Sequence, residues 1–163
     1  MSEVITIVSV MPSYTYRNGR MVEVPDTVIS EDAEIHDPIS NTLILRPGVN
    51  VTIHSTISGT VEVMSGATLH ARGTLSGTVS VAEDANVVVH RRASGTIHIN
   101  RGAEVHLLPG SIALGVIRVE GRLINEGTRS ENVSGPGSIE DRPGSTVRVP
   151  DRTLPDGTTV YEG

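Results

Sequence analysis

The chain has 163 residues, no cysteine, and a formal net charge of −6 at pH 7 from 19 acidic and 13 basic residues. That length fits one domain with one continuous core, and the lack of cysteine excludes disulfides, thiolate metal sites and cysteine nucleophiles. The acidic balance opposes binding to phosphate backbones, and with three Tyr and no Phe or Trp the core must be aliphatic and stacking platforms for sugars or single-stranded nucleic acid are scarce.

From the N-terminus, Val4 to Val10 reads as a strand rather than a signal peptide, being short, preceded by Glu3 instead of a basic region, and followed by no small-residue cleavage site. No segment approaches the ~20 apolar residues of a membrane span, so a cytoplasmic protein without a membrane span is expected. Next, Tyr14-Thr15-Tyr16 and Met21 to Val24 flank Asn18-Gly19, a strong hairpin-turn signal. Residues 1–29 are therefore expected to form a strand and hairpin that caps the core or mediates assembly, through Val4, Ile5, Ile7, Tyr14, Tyr16 and Val22.

From residue 30 a repeat takes over. Ser30 to Ile39 reads as a shortened coil, and then Ser40-Asn41-Thr42, Ser58-Gly59-Thr60, Ser76-Gly77-Thr78 and Ser94-Gly95-Thr96 follow one another at a constant interval. Aligned on that interval, aliphatic residues fall in columns: Leu43, Val61, Val79, Ile97; Leu45, Val63, Val81, Ile99; Val51, Leu69, Val87, Val105. The last inward column reads Ile57, Leu75, Ala93, Ser111, and Gly48, Gly66, Asp84 and Gly102 mark a turn. Polar residues alternate with the apolar ones, as half-buried strands require, and an inward residue every six positions makes three sides of a triangle. The expected fold is all-β, a single-stranded β-solenoid (a parallel β-helix with triangular coils of about 18 residues) over residues 30–150, with like residues stacked over like.

An insertion near Pro109 and Gly110 interrupts the rows, Gly115 to Val119 restores the first strand, and Gly144 to Val149 repeats the form of Gly102 to Leu107. Six or seven coils would make a rod ~30 Å long. Residues 151–163 read as a tail or a second cap. Open solenoid ends expose core and unpaired strand edges, so they are either capped or used for assembly.

The rows Gly-Thr-Val-x-Val and Gly-Ala-x-Val-x-Val resemble the bactofilins, bacterial cytoskeletal proteins, over roughly residues 30–150. The resemblance implies a right-handed triangular β-helix that polymerises end to end. The six-residue period is also similar to the left-handed β-helix of hexapeptide acyltransferases. Those hexads favour Gly or an acidic residue after the aliphatic one, where this chain has Met64, His70, Ser76 and Ala82.

Solenoid stacking places His54, Arg72 and His90 in one outward column and His70, Val88 and His106 in its neighbour. Arg72 and Val88 interrupt the ladders, so no three ligands converge within them and neither metal nor cofactor is expected. Arg72, His90, Arg91 and Arg92 form a basic patch that could receive an acidic protein. Glu31, Asp32, Glu62, Glu83, Asp84 and Glu104 lie mostly at corners in different columns, with no pair placed for acid–base catalysis. The Ser-Gly-Thr corners are attributed to turn chemistry. The Thr42, Thr60, Thr78, Thr96 ladder raises an ice-binding reading, opposed by the uneven neighbouring column Ile44, Glu62, Ser80, His98.

No catalytic constellation emerges, so the expectation is a non-enzymatic scaffold acting through protein–protein contacts, chiefly self-association in the bactofilin manner. The alternative is an immunity or antitoxin-type protein that occludes a partner toxin. A hexapeptide-type acyltransferase relative would instead be a trimer with clefts between subunits.

Overall fold

The computed structural model describes residues 13–17, 20–24, 27–149, 152–155 and 159–160, with side chains over 27–149 and 154–155. Strands β1 (Ser13–Arg17) and β2 (Arg20–Val24) pair antiparallel, Arg17 opposite Arg20, so that two residues connect them as the Asn-Gly signal requires. Of the expected end elements, Tyr14 and Tyr16 lie on β1 and Val22 on β2, while Val4, Ile5 and Ile7 lie outside the described residues.

Seven turns of solenoid follow. The first holds β3 (Thr27–Ile29) and β4 (Ala33–Ile35) and closes with a bridge from Ile39 to Ile57. The second holds β5 (Leu43–Leu45), β6 (Asn50–Ile53) and β7 (Thr56–Ile57); the third β8 (Val61–Val63), β9 (Thr68–Ala71) and β10 (Thr74–Leu75). The fourth holds β11 (Val79–Val81), β12 (Asn86–Val89) and β13 (Arg92–Ala93); the fifth β14 (Ile97–Ile99), β15 (Glu104–Leu107) and β16 (Ile112–Ala113). The sixth holds β17 (Ile117–Val119), β18 (Arg122–Asn125) and β19 (Thr128–Ser130); the seventh β20 (Val133–Ser134), β21 (Ser138–Asp141) and β22 (Thr146–Arg148). Beyond it β23 (Arg152–Thr153) and β24 (Thr159–Val160) form an antiparallel pair.

These strands make three parallel sheets: a first of β3-β5-β8-β11-β14-β17-β20, a second of β4-β6-β9-β12-β15-β18-β21, and a third of β7-β10-β13-β16-β19-β22. The described residues form no helix, and none therefore is long and apolar enough to cross a membrane. The all-β solenoid expected from the repeat is thus present. Its strands begin at Thr27, inside the segment expected to precede it, because β3 pairs in register with β5. The repeat signal fades there because the step from Thr27 to its partner Leu43 is two residues shorter than the step from Ala33 to Val51.

The aliphatic columns fill the interior. Leu45, Val63, Val81, Ile99 and Val119 are buried on the first sheet, Val51, Leu69, Val87, Val105 and Leu123 on the second, and Ile57, Leu75, Ala93 and Ala113 on the third. Each large aliphatic side chain so buried contributes about 1.5–3 kcal/mol. The last column differs from the sequence expectation at one rung: Ala93 stands opposite Ala113, not Ser111. Two extra residues between β15 and β16 move Ser111 out of the strand and into the corner, where it is fully buried. Its hydroxyl has no hydrogen-bond partner among the described residues. Ser111→Ala is expected to raise stability by about 1 kcal/mol by removing an unpaired polar atom; an unchanged or lowered urea midpoint would show that the hydroxyl is in fact satisfied.

Two kinds of corner hold the turns together, and each needs glycine for a different reason. At Gly48, Gly66, Gly102 and Gly144 the backbone is left-handed, with φ between 77° and 88°, and Asp84 takes the same conformation at φ 62°. In the Ser-Gly-Thr corners, and in the matching Leu114-Gly115-Val116 corner, the requirement is space: a Cβ on Gly59, Gly77, Gly95 or Gly115 would overlap the carbonyl oxygen of the corner one turn earlier. The regularity assigned to turn chemistry is therefore a consequence of close backbone stacking. The threonines beside these glycines are tied in through their backbone carbonyls, Thr60 accepting from the Leu43 N–H at 2.8 Å and Thr78 from Val61 at 2.7 Å.

Candidate functional site

Alternation along the second sheet turns one residue outward for each one buried, and the turn spacing stacks the outward residues. Register places Glu34, Thr52, His70, Val88, His106, Ile124 and Glu140 in one column. The next outward position, at the corner, stacks His36, His54, Arg72 and His90, with the N–H of His54, Arg72 and His90 each donating to the turn before. Five of the six histidines therefore stand on this face; His98 lies on the outer face of the first sheet, 3.1 Å from the Glu120 carboxylate. The two ladders read from the sequence are present, and Arg72 and Val88 do interrupt them.

The face divides into three zones. At the N-terminal end, His54 Nε2 lies 3.1 Å from Glu34 Oε1, and the rings of His36 and His54 stack with centroids 4.6 Å apart and planes 3° from parallel. One ligand atom from each of Glu34, His36 and His54 lies within 4.8 Å of the other two. The columns read from the sequence begin at His54 and so set it only against Arg72 and His90. The missing signal is His36, which stands one full turn before His54 in the same column.

In the middle zone stand Arg72 and His90 of the predicted basic patch, while Arg91 follows at the corner and Arg92 lies on β13 of the third sheet. His70 Nδ1 and His90 Nε2 approach to 3.4 Å. Burial, followed by the charges of Arg72 and His70, pushes the His90 pKa below the usual imidazole value. His90 is thus neutral at pH 7, and the charge of the patch rests on Arg72, Arg91 and Arg92. All three are exposed, and among the described residues none of them joins an ion pair.

Toward the C-terminus the face becomes an ion-pair network. Glu126 accepts from His106 Nε2 at 2.8 Å and from Arg142 Nη1 at 2.9 Å, Arg142 also donates to Glu140, and Arg122 reaches Glu140 at 3.0 Å and Glu104 at 3.5 Å. Arg142, then His106, holds the Glu126 carboxyl below its ordinary range; Arg142, then Arg122, does the same for Glu140. These groups are solvated, so the network orients side chains more than it stabilises the fold.

The first sheet carries an open cleft of about 500 Å³ on its outer face, lined by Ile44, Glu62, Met64, Ser80 and Ala82 among others. Its charged groups are Glu62 and Arg46. The chain matches no protein-family model, no curated protein and no solved structure.

Proposed function

We propose that the chain is a non-enzymatic solenoid scaffold that acts through protein–protein contacts, and that it associates with a second copy of itself through the last turn, in line with the bactofilin likeness of its rows. One observation carries this reading: among the described residues, the inward columns of all three sheets end on exposed or partly buried apolar side chains at the seventh turn. Val133 is only partly buried, Ile139 is 39% exposed and Val147 43%, although Ile117 and Leu123, the column partners of Val133 and Ile139 one turn earlier, are buried. Val149 adds a further 62% exposed side chain beside them. Apolar ends with free strand edges favour docking of another chain.

The opposite end is unlike it, since Ile29 and Ile35 in the first turn are buried. Contact through one open end is isologous and closes as a dimer, whereas a filament requires two complementary ends. Sedimentation velocity from about 1 to 100 μM should therefore show a concentration-dependent monomer–dimer equilibrium. Ile139→Glu and Val147→Glu should each weaken it by about tenfold or more, because each would carry a charge into the apolar contact. A wild-type chain that stays monomeric throughout, or variants that associate as well as wild type, would overturn the reading.

A second reading, a binder of an acidic protein in the immunity-protein manner, is favoured by the exposed Arg72, Arg91 and Arg92 on a chain of net negative charge. Arg91→Glu with Arg92→Glu would abolish such binding and leave association through the seventh turn unchanged.

A further inference from the structure

We infer that Glu34, His36 and His54 form a binding site for a zinc-class divalent transition-metal ion at the N-terminal end of the second sheet. The proposal does not depend on self-association, which rests on the opposite end of the solenoid.

The donors are of the right kind: two imidazoles and one carboxylate, a set that suits Zn²⁺ with water completing four-coordination. They are also close to the right separation. Ligand atoms ~2.0–2.1 Å from a tetrahedral ion stand about 3.3 Å from one another, and His54 Nε2 and Glu34 Oε1 are already 3.1 Å apart. His36 offers a nitrogen within 4.8 Å of both. Parallel stacked rings cannot both aim an in-plane lone pair at one ion, so binding requires one imidazole to tilt out of the stack. Both histidines are exposed at the surface, which leaves room for that rotation.

The chain around Glu34 and His36 is acidic: its charged residues from 27 to 45 are Glu31, Asp32, Glu34 and Asp37, and a divalent ion gains from that local charge, set against Arg72 one turn beyond His54. The solenoid supplies the convergence: β4 and β6 are adjacent parallel strands, with Glu34 opposite Thr52 and Ile35 opposite Ile53. The residues that follow, His36 and His54, are thereby brought side by side. Glu34 precedes His36 by two residues and so faces the same way.

What separates this cluster from the other histidine pair on the face is its donor count. His70 and His90 offer two nitrogens 3.4 Å apart, but no carboxylate joins them, whereas Glu34 completes a set of three with His36 and His54.

The test is calorimetric titration of Zn²⁺, with Mg²⁺ as a control, into the untagged full-length chain after chelator treatment. One Zn²⁺ per chain should bind saturably and Mg²⁺ should not. His36→Ala and His54→Ala should each weaken binding by about tenfold or more, with unchanged circular dichroism, while His70→Ala and His106→Ala should bind as wild type. In wild-type protein the imidazole resonances of His36 and His54 should move on Zn²⁺ addition and those of His98 should not, a readout that does not depend on any variant folding. No saturable binding, binding that survives the double His36→Ala, His54→Ala change, or binding lost on replacing His70 would each overturn the site.

Discussion

Gly77→Ala is expected to destabilise the chain by about 3 kcal/mol or more, lowering its melting temperature by roughly 10 °C. The added methyl would overlap the carbonyl oxygens of Gly59 and Ser58, both backbone atoms. The corner cannot easily retreat, because its flanks are pinned to the turn beneath: Ser76 N–H donates to Ile57 at 2.9 Å, and the Thr78 carbonyl accepts from the Val61 N–H at 2.7 Å. Moving the corner outward would stretch these bonds and part the Leu75 and Val79 strands from the turn beneath. Gly48→Ala is the control. Its φ of 79° penalises a side chain, yet a Cβ there meets open space, so it should lose only about 1–2 kcal/mol. Thermal denaturation followed by circular dichroism compares the two, and a Gly77 variant as stable as the Gly48 variant would show that the corners are looser than the stacking requires.

The contrast between those glycines shows which constraints of the fold leave a mark in the amino-acid sequence. The ladder Leu45, Val63, Val81, Ile99 is legible because an inward strand position accepts only aliphatic residues, and equal turn lengths repeat that constraint at equal spacing. Where the length of a turn changes, the constraint persists but its spacing does not. Equal spacing therefore puts Ser111 in a column that Ala113 occupies, and it leaves β3 outside the solenoid although its Ile29 is as buried as any residue in it. His36 escapes the columns for a related reason: the first turn has no Ser-Gly-Thr triplet to align on, and without it the histidine column begins at His54. The motif Ser-Gly-Thr itself is visible, but whether its glycine serves φ or space is a matter of what lies one turn away, which only the stacked backbone reveals. Least legible is the C-terminal interior. There the inward positions carry polar residues, and a search for aliphatic columns passes over them.

Those residues supply the second large effect. Arg129 stands in register with Ala113 and Val147, and Asp141 with Asn125, so both occupy positions that are aliphatic in earlier turns. Arg129 donates to Asp141 through Nε and Nη2, each at 2.8 Å, and its side chain is only 12% exposed. Asn125, fully buried, donates to the same carboxylate at 3.0 Å and accepts from the Gly127 N–H at 3.1 Å. This fork is a charge-assisted, two-point contact, closing the core beneath the apolar rim of the last turn. Arg129→Met should destabilise the chain by about 2 kcal/mol, less than the ~3–5 kcal/mol typical of breaking a fully buried pair, because a third of the Asp141 side chain still meets water.

The loss should depend on pH in a definite direction. Arg129 chiefly, and Asn125 after it, hold the Asp141 carboxyl below its ordinary value. The stabilisation from a depressed carboxyl is present above its unfolded pKa and disappears as pH falls through the folded one. Wild-type stability should therefore drop on acidification below about pH 4, and the Arg129→Met variant should drop less over the same range, so that the two converge in acid. Glu120, Glu126 and Glu140 are also held low but lie outside the core, and they add the same acid sensitivity to both proteins. Urea denaturation at neutral pH and near pH 3 measures the difference; parallel profiles would mean that Arg129 acts through packing alone. Because Val147 is the rung above Arg129, a variant that loosens this closure should also weaken association through the seventh turn.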